Sequence, residues 1–259
     1  MNSVFITQPN YVPWSGWFFC AGFASHLVLL DTVQMTRQSW RSRNLLPTAS
    51  GDKWLSIPLK NSGRLQTAIC ETRISSSAQF FYRDHWKVIT QHLQNNEYFS
   101  EISQYLSDFY HPRRPYELLT ELTVPLTNKI CEMLQLDVTI HLASEIFKGR
   151  TDQIWLDVDP TERIAKICQS LDATKYLTST GAMNYLDVEL LSSKDIEVSW
   201  IDPVKIWSQV AGQSSVKRYS ILNDIAKSGL AVLVSQFSSR KRSPISDTLG
   251  EFSSSHVIS

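Results

Sequence analysis

The apolar run VFIT (4–7) is followed, across a polar loop and a segment of helical spacing, by a second apolar run, HLVLLDT (26–32). Neither run alternates, as expected of strands covered on both faces. Parallel strands can be joined only by a crossover, so strand, loop, helix and strand in about thirty residues form a βαβ unit. The helix falls in Gly16–Ser25, where Trp17, Phe18, Cys20, Ala21 and Ala24 recur at helical spacing. A second series lies far down the chain. DVTIHLAS (137–144) reads as a strand and TERIAKICQSL (161–171) as a helix that Thr161, after Pro160, is placed to cap. TKYLTST (174–180) reads as a strand, GAMNYLDVELLSSKD as a helix and IEVSWID (196–202) as a strand. Together the two series predict an α/β fold with a three-layer, mostly parallel, Rossmann-like sheet.

Between the two series the pattern changes. Arg37, Arg41 and Arg43 crowd with Trp40 and Asn44 ahead of WLSIPL (54–59), an edge-like strand ended by Pro58, and TAICETRI (67–74) can pair beside it. Residues 77–136 read as a helical section. It breaks near Asn95–Asn96, and a further helix from Pro115 to Leu136 should be kinked or split by Pro125. These boundaries place a single α/β domain at 1–235. Residues 236–259, rich in serine and poor in core residues, are expected to form a flexible tail.

Composition excludes several classes. The 25 basic and 25 acidic residues cancel, which argues against bulk electrostatic capture of DNA or an anionic membrane. No apolar stretch is long enough to span a bilayer, and the N-terminus lacks the pattern of a signal peptide, so a cytoplasmic protein without membrane insertion is expected. Cys20, Cys70, Cys131 and Cys168 are scattered in apolar surroundings and read as reduced, packed thiols. No CxxC pair or Cys/His cluster at zinc spacing occurs, so no metal site is expected.

In an open parallel sheet, ligands lie beyond the carboxyl ends of the strands. Two polar loops meet that condition. The first, QPNYVPW, carries the two φ-fixing rings Pro9 and Pro13 and offers the amides of Gln8 and Asn10 and the hydroxyl of Tyr11. A loop stiffened before its ligand arrives suits recognition of a sugar or nucleotide; an aromatic plug between layers is the ordinary alternative. The second is TSTGAMNY, where Ser179, Thr180 and Gly181 precede a predicted helix. They can cradle a phosphate or carboxylate, or simply cap the helix. Asp31, closing the second strand, can bind a sugar hydroxyl or orient an amine, or serve as a cap. His85, following Asp84, is the first choice for a general base, against the alternative of a solvent-facing helix histidine. The arginines can clamp a diphosphate or form a solvated basic run. GxSxG is absent and no Ser-His-Asp triad can be assigned.

QPNYVPWSGWF, followed by LDTVQMTRQSWRSRN and WLSIPL, closely resembles the WbqC-like family, in order and spacing, across residues 8–59. The resemblance continues more weakly through DHWKVI, EYFSEI and ATKYLTSTGAMNYLD. It adds Trp14, Gln34 and Trp40 to the candidate substrate-binding residues and favours Arg43 and Asn44 among the basic stretch. It implies a transferase of bacterial surface-polysaccharide (O-antigen) biosynthesis that moves an aminoacyl group, such as glycyl, or an acyl group onto an amino sugar. The acceptor would be nucleotide- or lipid-linked. An activated donor, with aminoacyl-tRNA or a carrier protein among the options, would be a co-substrate rather than a bound cofactor. Two positions depart from the family pattern: Asp202 stands where it has histidine and Asn223 where it has an acid, while Pro203, Gln209, Ser220 and Gly229 are retained. The departures leave room for an alternative, a non-catalytic protein that binds a sugar nucleotide or a partner enzyme.

Overall fold

The computed structural model describes residues 2–60, 67–78, 80–148, 158–212 and 217–238. The first βαβ unit forms as its sequence requires: β1 (Ser3–Thr7), α1 (Ser15–Ala21) and β2 (His26–Leu29), with β1 and β2 parallel. The later series supplies β5 (Thr139–Leu142), β6 (Lys175–Ser179) and β7 (Glu197–Ile201). All pair in parallel in the order β5-β2-β1-β6-β7, giving one five-stranded sheet. The remaining strands, β3 (Arg43–Thr48) and β4 (Gly51–Ser56), form a separate antiparallel hairpin.

The continuous apolar runs serve both faces, as parallel strands must. Phe5, Leu27, Leu29 and Leu177 point into one core, while Val4, Ile6, Val28 and Tyr176 point into the other. The larger core contains α1 and the helical section α2 (Phe81–Leu93), α3 (Phe99–Tyr110) and α4 (Thr120–Met133). The smaller core is closed by α5 (Ala143–Ile146), α6 (Pro160–Ser170) and α7 (Val188–Ser192). Two more helices, α8 (Pro203–Val210) and α9 (Ile221–Ser238), pack on the α1 side through Trp207, Leu233 and Phe237. The result is the expected three-layer α/β architecture.

Several local expectations are corrected. The partner of WLSIPL is not TAICETRI but Arg43–Leu45, because Ile69–Glu71 turns into a 3₁₀ helix and leaves only the single bridge Leu59–Ile74. Pro125 lies inside α4 without ending it. Asp159, not Thr161, caps α6, accepting from the backbone N–H groups of Thr161 and Glu162, with Pro160 in the first turn where its missing donor costs nothing. The long helix expected after Gly181 is a three-residue 3₁₀ turn followed by the short α7, which starts only where Asp187 can cap it. Residues 236–238 continue α9, with Phe237 buried; the rest of the expected tail lies outside the described residues. Cys20, Cys131 and Cys168 are buried free thiols and Cys70 is half-buried. Burial pushes the Cys168 thiol up to about 12, so it is protonated and inert at neutral pH.

Candidate functional site

The chain leaves β1 toward β2 and β5 on one side, and the later series builds β6 and β7 on the other. β1 and β6 are therefore neighbours whose connections depart in opposite directions. This is the switch point where an open α/β sheet binds ligands. A cleft of about 310 Å³ opens there, between the loop after β1 and the turn after β6. Gln8 and Asn10 line it from the first loop, Ser179, Gly181 and Tyr185 from the second, and Trp40 and Arg41 close it from the side. Two loops predicted from separate halves of the sequence thus meet in one hollow.

The loop is held by its own buried backbone and by Asn44. Asn44, 2% exposed, donates from Nδ2 to the carbonyl oxygens of Tyr11 (3.0 Å) and Val12 (2.6 Å) and accepts from Leu45 N–H. Val12 sits at φ 43°, left-handed backbone that a β-branched residue rarely adopts. Trp40 carbonyl accepts from Tyr11 N–H at 2.9 Å, tying the loop to the segment that carries Arg41. Gln8 and Asn10 are consequently positioned by a backbone that neither of them has to hold.

Polar groups in this cleft lack partners. Gln8 Oε1 and Arg41 Nε are buried without a hydrogen-bond partner among the described residues. Burial lowers the pKa of the Arg41 guanidinium, and no described carboxylate pairs with it. Buried polar atoms are normally bonded, so two orphaned groups beside one cleft single it out as the candidate site.

The other predicted residues are placed elsewhere. Tyr11 is fully buried, its hydroxyl 2.8 Å from His85 Nδ1 and 3.4 Å from the Tyr110 hydroxyl. His85, 7% exposed, also reaches the Ser56 carbonyl through Nε2 at 3.2 Å. A carbonyl only accepts, so Nε2 carries the proton and Nδ1 takes the Tyr11 hydroxyl hydrogen. Both ring nitrogens are thus engaged away from the cleft, and burial pulls the His85 pKa down to about 4. A general base needs a free nitrogen beside the reacting proton; His85 instead pins the helical section to the loop. Asp31, 1% exposed, accepts from Ser144 N–H (2.8 Å) and Ser144 Oγ (2.6 Å), capping the turn after β5, and burial raises its pKa. Trp14 lies half-buried against the core, its ring in the space a Cβ on Gly16 would need. Gln34 is exposed and bridges through its backbone to Ala68, and Thr180 does not line the cleft. Arg43 faces away from it, its guanidinium carbon 4.1 Å from the centroid of Trp54. The neighbouring Arg41, which the sequence ranked below Arg43, lines the cleft instead.

The His85 environment makes a pH prediction. An unfolded histidine takes its proton near 6.5, whereas the folded group waits until about 4. Between those values the unfolded chain binds more protons, so folding stability falls as pH is lowered through this window, by about 3 kcal/mol in total. Denaturant titrations at pH 7 and pH 4 should show that fall in the wild type to exceed the fall in His85→Gln by about this amount. Equal falls would show that His85 is not held neutral.

The profile of the WbqC-like protein family matches residues 8–231, which include every element from α1 to α8 and most of α9. The chain belongs to the WbqC-like protein family. It is 30% identical over 206 residues to the uncharacterized protein Rv1507c of Mycobacterium tuberculosis (strain ATCC 25618 / H37Rv), covering 78% of this chain and 83% of that one. No solved structure matches the chain.

In this WbqC-like chain, Asp202 and Asn223 both have physical roles in the fold. Asp202 caps α8, accepting from Val204 and Lys205 N–H at 3.0 Å each. Asn223 donates from Nδ2 to Asp224 at 3.1 Å, and Asp224 also accepts from Ser15 Oγ, a part-buried join between α9 and α1. Neither position lines the switch-point cleft. Among the described residues no group of three or more His, Cys, Asp and Glu side chains could hold a metal ion, and no helix is long and apolar enough to cross a membrane.

Proposed function

We propose that the protein is a transferase of surface-polysaccharide biosynthesis, placing an acyl or aminoacyl group, such as glycyl, on an amino sugar whose phosphate-bearing carrier sits against Arg41. The observation that carries this reading is the half-buried Arg41 guanidinium in the switch-point cleft, with no described carboxylate to neutralise it. A phosphate oxygen supplies what that fork lacks, in a charge-assisted and geometrically matched bond. Gln8 and Asn10 offer amide donors and acceptors to sugar hydroxyls, and Trp40 and Tyr185 offer faces for a ring.

In the transfer, the unprotonated sugar amine attacks the donor's acyl carbon, the bond to the donor's carrier breaks, and the proton leaves with that carrier or to water. The cleft's described lining contains neither imidazole nor carboxylate, so this chain contributes position and N–H donors for the developing oxyanion rather than a base. Suitable donors are aminoacyl-tRNA or an acylated carrier protein, both of which belong to the cytoplasm. The same lack of a base favours a second reading, in which the cleft binds the sugar nucleotide and presents it to a partner enzyme without reaction.

The test uses the full chain with a panel of nucleotide-linked amino sugars and acyl or aminoacyl donors. A mass gain on one sugar identifies the transferase; tight binding with no product across the panel supports the second reading. Arg41→Gln should weaken sugar-nucleotide binding about 100-fold, or about 2.7 kcal/mol, while the melting temperature stays level or rises because an unpaired buried cation is removed. Unchanged affinity in that variant removes the anion-site reading altogether.

A further inference from the structure

The segment from Arg37 to Arg43 is a wall with two sides. Arg41 opens into the switch-point cleft, whereas Arg37, Ser42 and Arg43 face a different cleft of about 560 Å³, bounded by the hairpin and the turn at Ser75–Ala78. Arg37 and Arg43 both line this second cleft, and no carboxylate is among its described lining residues. Serine hydroxyls from Ser42, Ser56, Ser75 and Ser77 surround them, over an apolar floor that includes Ile57 and Leu59.

The arrangement is built rather than incidental. Arg43 holds its guanidinium carbon 4.1 Å over the Trp54 ring, and no hydrogen-bond acceptor for its N–H groups is found among the described residues. The floor is cross-braced by backbone bonds from Ile57 N–H to Ser42 carbonyl (2.7 Å) and from Ser75 N–H to Pro58 carbonyl (2.8 Å). Ser75 Oγ and Ser77 Oγ lie 2.9 Å apart, an ordered pair of hydroxyls at the rim. The Arg43 guanidinium and several hydroxyl donors, with no carboxylate among the described lining residues, suit a phosphate ester or diphosphate. A neutral or cationic ligand would gain nothing from the guanidinium.

We infer that this second cleft is a separate binding site for a phosphorylated ligand, distinct from the one at Arg41. The binding claim stands without the transferase reading; only the ligand's role as second substrate rests on it. With two such sites back to back, a single short segment serves both, since Trp40, which closes the first cleft, packs its ring at a 44° tilt and 5.5 Å from the same Trp54 that supports Arg43 at the second.

The experiment is calorimetric titration of the full chain with inorganic pyrophosphate at low ionic strength. Two sites are expected. Arg43→Gln and, independently, Ser77→Glu should each weaken one of them tenfold or more and leave the other intact, while Arg41→Gln does the reverse. Ser77→Glu adds a repelling charge at an exposed rim position without touching the Arg43–Trp54 stack, so it reports on the site even if Arg43→Gln folds poorly. A single site lost in Arg43→Gln and Ser77→Glu but kept in Arg41→Gln supports this inference and removes the reading of the first cleft. A single site lost only in Arg41→Gln, or no binding at all, overturns the inference. Competition by ADP against competition by a water-soluble prenyl diphosphate then tells a nucleotide from a lipid source; failure of both to compete also overturns it.

Discussion

Asn44→Ala should destabilise the protein by about 4 kcal/mol and, in variant molecules that still fold, weaken ligand binding at a cleft the side chain never touches. The stability loss follows from arithmetic on buried polar groups. The change strands the buried carbonyl oxygens of Tyr11 and Val12 and the N–H of half-buried Leu45. Each unsatisfied buried group costs about 1–3 kcal/mol. The loss of binding follows from strain. Val12, held at φ 43°, sits in backbone that costs about 1–3 kcal/mol and persists only while its surroundings enforce it. Without the Asn44 clamp the loop can relax, and Gln8 and Asn10 lose the frame that aims them. A chemical denaturation midpoint measures the first effect and ligand titration the second. A variant within 1 kcal/mol of wild type would falsify the clamp.

The second large effect is expected at Gly229, where α9 bends. Its backbone is at φ 77° and ψ 159°, a region reserved for glycine, and a Cβ there would lie 2.7 Å from Tyr98 Cδ1. The kink exists because two other groups occupy it. The Tyr98 ring fills the space of the missing side chain, and Glu101 Oε2 accepts from Leu230 N–H at 2.7 Å, restarting the helix as an N-cap would. Gly229→Ala combines the conformational penalty with the overlap, about 4 kcal/mol together. The two contributions separate in a double-mutant cycle. In the Tyr98→Ala background the overlap is gone, so Gly229→Ala should cost only the backbone part, roughly half as much. A full-sized penalty in that background would assign the whole effect to the dihedral angles, and none in either background would dismiss the kink as a requirement.

The two βα series were legible because their signal is local. A continuous apolar run beside a helical one admits few arrangements, and parallel pairing with both faces covered follows from chain connectivity. The hairpin was not legible. WLSIPL marked the end of β4, but in β4 only Leu55 is buried, and β3 carries a proline and opens on an arginine, so nothing in the sequence named β3 as its partner. The 3₁₀ turn after β6 was also missed, since GAMNYLDVELLSSKD supports a longer helix and only Asp187, as a cap, says where the real one starts.

At the site the division runs along the same line. The loop QPNYVPW showed in advance that it was rigid and polar, and the position of a loop after a parallel strand put it at the ligand-binding end. Which of its side chains face outward was decided by the fold. Gln8 and Asn10 line the cleft, whereas Tyr11 turns inward to His85, although all three look equally suited to binding. Asp31 and His85 read as chemistry and are fixtures, a cap and a buried pin. The three arginines were indistinguishable by type. Only tertiary contacts give Arg43 to Trp54 and leave Arg41 unpaired in the hollow. The amino-acid order determined the strands and helices of the two βα series, their parallel pairing and the end of the sheet that carries the two polar loops, because those depend on residues close in the chain. The direction each polar side chain faces, and hence which can meet a ligand, depends on partners tens to hundreds of residues away, and only packing in three dimensions decides it.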